Sequence, residues 1–117
     1  TNNKSFTNTG SLHIMGATAA VSLDNLGTLT NNGQIKADAM VNNTAGARLI
    51  NNGSFEGNFA PINNSGSLIN NGGVKLLSTS LTNNVGATLD NRGDFQAVVN
   101  ASINNKGTLR NRAGATL

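Results

Sequence analysis

Residues 23–35 read LDNLGTLTNNGQI, and residues 62–74 read INNSGSLINNGGV. Each spells apolar-x-Asn-x-Gly-x-apolar twice in tandem, with Leu29 or Leu68 shared between the halves. Working outward, the same unit recurs with two extra residues in its first half as VNNTAGARLINNGSF from Val41 and LTNNVGATLDNRGDF from Leu81. INNKGTLRNRAGATL, from Ile103, carries the extra residues in its second half, and NNKSFTNTGSL, from Asn2, is truncated at its start. A repeat this regular decides the architecture before any single residue is weighed.

The shared apolar residues are Phe6, Leu29, Leu49, Leu68, Leu89 and Leu109, at steps of 23, 20, 19, 21 and 20 residues. A third, less regular segment closes each copy, from KADAM after Ile35 to QAVVNAS after Phe95. Apolar and polar residues alternate within short runs, as in Phe55-x-Gly57-x-Phe59, which means strands. Asn and Gly recur too often for a helical stripe to survive. Each Asn-x-Gly is read as a bend, with glycine supplying a positive φ and Asn bonding nearby backbone. One coil of three short strands cannot bury its apolar face, whereas stacked coils can. The expectation is all-β: a right-handed parallel β-helix of about six coils of about 20 residues, forming a single unit over residues 1–117 and roughly 29 Å long. A left-handed form is the alternative, because Leu23, Leu29, Ile35 and Val41 are spaced by six before the steps become irregular.

Asparagine forms two unbroken columns. The first bend carries Asn2, Asn25, Asn43, Asn64, Asn83 and Asn105, and the second Asn8, Asn31, Asn51, Asn70, Asn91 and Asn111. Stacked one coil apart, each amide can donate to the next side-chain carbonyl, making a ladder. Glycine follows in step: Gly27, Gly46, Gly66, Gly86 and Gly107 at the first bend, and Gly10, Gly33, Gly53, Gly72, Gly93 and Gly114 at the second. Lys4 alone breaks these columns. The six shared apolar residues are expected to point inward.

Composition narrows function by exclusion. The 117 residues include 22 Asn, 14 Gly, four Phe and no Trp, Tyr or Cys. Disulfides and thiolate metal sites are excluded. No 18-residue apolar run offers a membrane span, and no signal peptide is visible. The chain reads as a piece of a longer protein. The net charge is +3, and only Lys106, Arg110 and Arg112 cluster. Without aromatics beside them to stack on bases, no nucleic-acid partner is expected.

Candidate chemistry is sparse. His13 is the only histidine and reads as an outward strand residue. The acids are Asp24, Asp38, Glu56, Asp90 and Asp94. Asp24 and Asp90 are read as sharing a column three coils apart, too far for the carboxylate pair of glycoside hydrolysis. Asp90 and Asp94 flank Arg92, which suggests a local ion pair. No catalytic, cofactor or metal site is expected, and the protein is read as a non-enzyme. Five Asn-x-Ser/Thr triplets, at Asn3, Asn42, Asn52, Asn63 and Asn100, follow from composition.

The tandem Leu-x-Asn-x-Gly pattern, as in LDNLGTLTNNG and LDNRGDF, resembles the repeats of filamentous-haemagglutinin-like adhesins exported by two-partner secretion. It departs from them in doubling Asn-x-Gly within each coil. The resemblance implies a secreted or bacterial cell-surface location, an outer-membrane partner transporter, and a rod holding adhesive or effector domains toward a receptor or glycan. The expected function is therefore a structural stalk. The alternative is a filament subunit stacking end to end through solenoid edges that lack a capping helix or a charged, Pro-bearing strand. A carbohydrate-active β-helix enzyme is the third reading, for which the repeats supply no clustered cleft. The third segments, most variable in length, are expected to carry any surface recognition.

Overall fold

The structure is a computed structural model and describes residues 1–16 and 21–117. The HIMGATAAVS segment after Leu12 lies in part outside the described residues. Sixteen strands follow in order: β1 Ser5–Asn8, β2 Ser11–Ile14, β3 Ser22–Asn25, β4 Thr28–Asn31, β5 Gln34–Ala37, β6 Met40–Asn43, β7 Arg48–Asn51, β8 Ser54–Asn58, β9 Ile62–Asn64, β10 Ser67–Asn70, β11 Gly73–Leu77, β12 Ser80–Asn83, β13 Thr88–Asn91, β14 Asp94–Val98, β15 Ser102–Asn105 and β16 Thr108–Asn111. No helix occurs among the described residues.

Every third strand pairs, so the strands sort into three parallel sheets. The first sheet is β3-β6-β9-β12-β15, the second β1-β4-β7-β10-β13-β16, and the third β2-β5-β8-β11-β14. This is a parallel β-solenoid of five turns and one further strand. Two isolated bridges, Asn2 to Asn25 and Asp94 to Thr116, extend the first and third sheets to the six levels of the second. The sequence repeat counts levels, and the hydrogen-bonded strands count slightly fewer turns because the end coils are incomplete.

Register is set by like residues. Leu29, Leu49, Leu68, Leu89 and Leu109 lie directly over one another in the second sheet. Val41, Ile62 and Leu81 do so in the first, and Ile35, Phe55, Val74 and Phe95 in the third. A shift by one residue would turn every one of these side chains outward, so the pattern fixes the register. They form one continuous core. Each buried Leu or Ile contributes about 1.5–3 kcal/mol.

Phe6 needs correction. It pairs with Leu29 as expected, yet it is 41% exposed, because β1 is the edge strand of the second sheet among the described residues. The six levels measure 35 × 31 × 29 Å, so the stack is about as wide as it is tall. A rod longer than it is wide takes more coils of this kind.

The glycine columns hold for a different reason from the one expected. Among the described glycines, positive φ occurs only at Gly46, Gly86 and Gly114, at 80°, 81° and 82°, where the inserted residues lengthen the bend. At the other bends the limit is space between coils. A Cβ added at Gly53 would lie 2.0 Å from the Gly33 carbonyl oxygen, and one at Gly72 would lie 2.1 Å from that of Gly53. Gly27, Gly33, Gly66, Gly93 and Gly107 face the preceding coil in the same way, at 2.0–2.4 Å. The left-handed conformations fall instead at the third corner, on Phe59, Ser78, Val99 and Asn100, with φ between 47° and 59°. Each costs about 1–2 kcal/mol for a residue bearing a Cβ.

Candidate functional site

The asparagine ladders are built as the columns imply. In the first, Nδ2 of Asn2, Asn25, Asn43, Asn64 and Asn83 each donates to Oδ1 of the next asparagine at 2.7–2.8 Å, ending at Asn105. In the second, Asn8, Asn31, Asn51, Asn70 and Asn91 do the same at 2.8 Å, ending at Asn111. The second amide proton of each goes to a backbone carbonyl beyond the next bend, such as Asn51 to Gly73 at 2.9 Å. One side chain thus ties two coils through two bonds. The interior asparagines are fully buried, and no buried side-chain polar atom lacks a partner among the described residues. A buried, saturated amide offers a ligand nothing. These columns are the inside of the wall.

Sequence reasoning missed two outer ladders. Asn63 donates to Asn42 at 2.9 Å and Asn42 to Asp24 at 2.8 Å on the first sheet. At the second bend Asn71 donates to Asn52 and Asn52 to Asn32, at 2.7 and 2.8 Å. Both run toward the N-terminal coil, opposite to the inner ladders. The doubled Asn-Asn pairs in NNGQI, NNGSF and NNGGV were the available signal.

The acids are each occupied. Asp90 receives Arg92 from its own bend at 2.8 Å and Arg112 from the next coil at 2.7 Å. Hydrogen bonding from Arg112 foremost, with Arg92 beside it, holds its carboxyl far below the usual range. The ion pair with Arg92 follows the sequence reading, and Arg112 joins it. Asp24 lies in the first sheet opposite Asn42, whereas Asp90 lies in the second opposite Ile69, so they share no column. The equal spacing to the following Asn misled, since Asn25 and Asn91 belong to different bends. Asp24 is held low by Asn42 and Ser22.

His13, Lys36, Asp38, Glu56 and Asn58 converge on the outer face of the third sheet. His13 Nε2 lies 2.6 Å from Asp38 Oδ2, and Asn58 Nδ2 donates to Asp38 at 2.9 Å and Glu56 at 3.0 Å. The bonds from Asn58 first, then His13, lower the Asp38 carboxyl. His13 is an outward strand residue, as read, and its role is to link two coils. Asp94 accepts from Gln96 at 2.7 Å.

No protein family, curated protein or solved structure matches this chain. Its chemistry must be read from the surface alone. No group of three or more His, Cys, Asp or Glu among the described residues could hold a metal. No helix among them is long and apolar enough to cross a membrane. A hollow of about 360 Å³ lies along the third corner between Phe59, Pro61, Ser78, Thr79, Asn100 and Ser102. Phe59 and Val99 stand exposed there. In the segments after Ile35 and Val74 the strands continue, and Ala37, Ala39 and Leu76 are buried.

Proposed function

We propose that this solenoid is a structural rod or stalk of a secreted or cell-surface bacterial adhesin, holding adhesive or effector domains away from the cell. The observation that supports this most is the pair of buried asparagine ladders, ten amide-to-amide bonds that run through all levels in one direction. Together with the strand pairing they make bending require the stretching of many bonds at once. The acids support it too, since each is bound to a neighbouring amide, cation or hydroxyl rather than poised as a proton donor or nucleophile. Recognition of a receptor or glycan then belongs to other parts of the parent protein, and export to a separate outer-membrane partner transporter. Parallel stacking suits such export, because each coil can add to the one before as the chain emerges.

The test is adhesion under flow. Cells display a fixed binding module on this solenoid, or on a flexible Gly/Ser linker of equal residue number. A stiffer, further-reaching support gives more captured cells with the solenoid. Equal capture with both supports sinks the spacer reading. So does adhesion by the solenoid with no module attached.

A further inference from the structure

Three of the 22 asparagines are followed by glycine, as Asn32-Gly33, Asn52-Gly53 and Asn71-Gly72. All three pairs fall at the second bend on consecutive coils, and all three asparagines are exposed. The pairing carries chemistry of its own. Glycine has no Cβ to shield its main-chain nitrogen, so that nitrogen can reach the side-chain Cγ of the residue before it. The glycine N–H gives its proton to hydroxide, and the nitrogen bonds to Cγ. The Cγ–Nδ2 bond breaks, and Nδ2 leaves as ammonia with a proton from water, which restores the hydroxide. Water then opens the five-membered imide. Attack at Cγ gives aspartate, and attack at the main-chain carbonyl gives isoaspartate, whose chain runs on through the former side chain.

The stack blocks the first step. Gly33, Gly53 and Gly72 donate their N–H groups to the carbonyls of Asn8, Asn31 and Asn51 in the preceding coil, at 3.1, 3.0 and 3.1 Å. The side chains are held as well, since Asn71 donates to Asn52 at 2.7 Å and Asn52 to Asn32 at 2.8 Å. A proton bound to a neighbouring coil leaves only when that contact opens, as in amide hydrogen exchange. Cyclisation is therefore gated by the parting of coils.

The two products differ in whether the coil can close again. Aspartate leaves the main chain unchanged. Isoaspartate adds a methylene to it at the point where coils lie closest. A Cβ at Gly33, Gly53 or Gly72 would already lie 2.0–2.1 Å from a carbonyl oxygen of the preceding coil. The strand that follows also loses the register that keeps its apolar residues inward. We propose that Asn32, Asn52 and Asn71 are self-modification sites, inert while the coils are stacked and converted to isoaspartate when they part, after which the coil does not restack. Water is the only co-reactant. The three bends thus keep an irreversible record of unstacking.

Peptide mapping by mass spectrometry tests this on the native chain, held in mildly alkaline buffer with and without guanidinium. In guanidinium all three sites lose ammonia at similar rates. In the folded chain the same sites are slowed about a hundredfold or more, because only the opened fraction reacts. The chain aged in guanidinium is then diluted into buffer and treated briefly with protease. The resistant, refolded fraction carries aspartate at these positions and no isoaspartate, which collects in the digested fraction. Two outcomes overturn the proposal. One is loss of ammonia from the folded chain as fast as from the unfolded chain. The other is isoaspartate at these bends in equal share in the resistant and digested fractions.

Discussion

At Asn70 one side chain donates to Asn91 and to the Asp94 carbonyl and accepts from Asn51. Replacing it with Ala leaves a donor on one neighbour and acceptors on the other, all in dry surroundings. The expected loss is about 1–3 kcal/mol, and Asn51→Ala should match it. Asp at either position should cost more, since a carboxylate has no proton for the next rung. Asn111→Ala should cost least, because that residue is exposed and donates only locally. Thermal unfolding of these variants checks the order, and equal small losses would contradict a buried ladder. Glycine gives a second ranking. Gly72→Ala forces a Cβ onto a backbone oxygen and should lose ~3 kcal/mol or more. Gly46→Ala has space but a φ of 80°, so about 1 kcal/mol is expected. Gly10→Ala should be within about 0.5 kcal/mol of the native chain. Both columns were legible because a repeat exposes whatever a position cannot vary. Their cause was not. A residue list shows that glycine is required without showing whether φ or a neighbouring coil requires it.

At the scale of strands and bends, the three-strand coil was readable from apolar alternation punctuated by Asn-x-Gly. The third corner was not, because Phe59, Ser78 and Val99 share no residue type. Their left-handed backbone is imposed by the strands they join. The pairing of Arg112 with Asp90 was equally hidden, since it depends on which bends stack. It yields a pH prediction. The Asp90 carboxyl is lowered on folding, so its contribution is fully present above the unfolded value of about 3.9 and fades as pH falls below it. Asp24 and Asp38 shift in the same direction and add to the same limb. Denaturant unfolding of native chain and Asp90→Asn between pH 7 and 2 should therefore show a gap that is widest at neutral pH and narrows below about pH 4. A constant gap would mean that the two arginines do not favour the ionised form.

For the whole molecule, the repeat is two coils long as well as one. The bend after β6 and the bend after β12 carry the insertion, while those after β3, β9 and β15 do not. Core size alternates with it in part. Ala37, Gly57, Leu76 and Ala97 lie over one another in the third sheet, and a Cβ at Gly57 would lie 2.7 Å from the terminal methyl of Ile62 and 3.4 Å from Leu76, so one of these side chains would have to shift. Duplicating one coil, Ile62–Ser80, would place Leu76 on a second Leu76 and overfill that column. Duplicating two, Val41–Ser80, would place Gly57 on Leu76 and restore the sequence of bends. Strand pairing joins only neighbouring coils, so stability should grow with coil number. The two-coil insertion should fold, raise the denaturant midpoint, and increase the m-value by about a third, in proportion to the surface exposed on unfolding. The one-coil insertion should gain less than half as much, because overpacking costs about 1–3 kcal/mol. Equilibrium unfolding in guanidinium measures both quantities. An unchanged m-value for the longer chain would mean that the added coils stay outside the stack, and a rod could not then be lengthened by repetition.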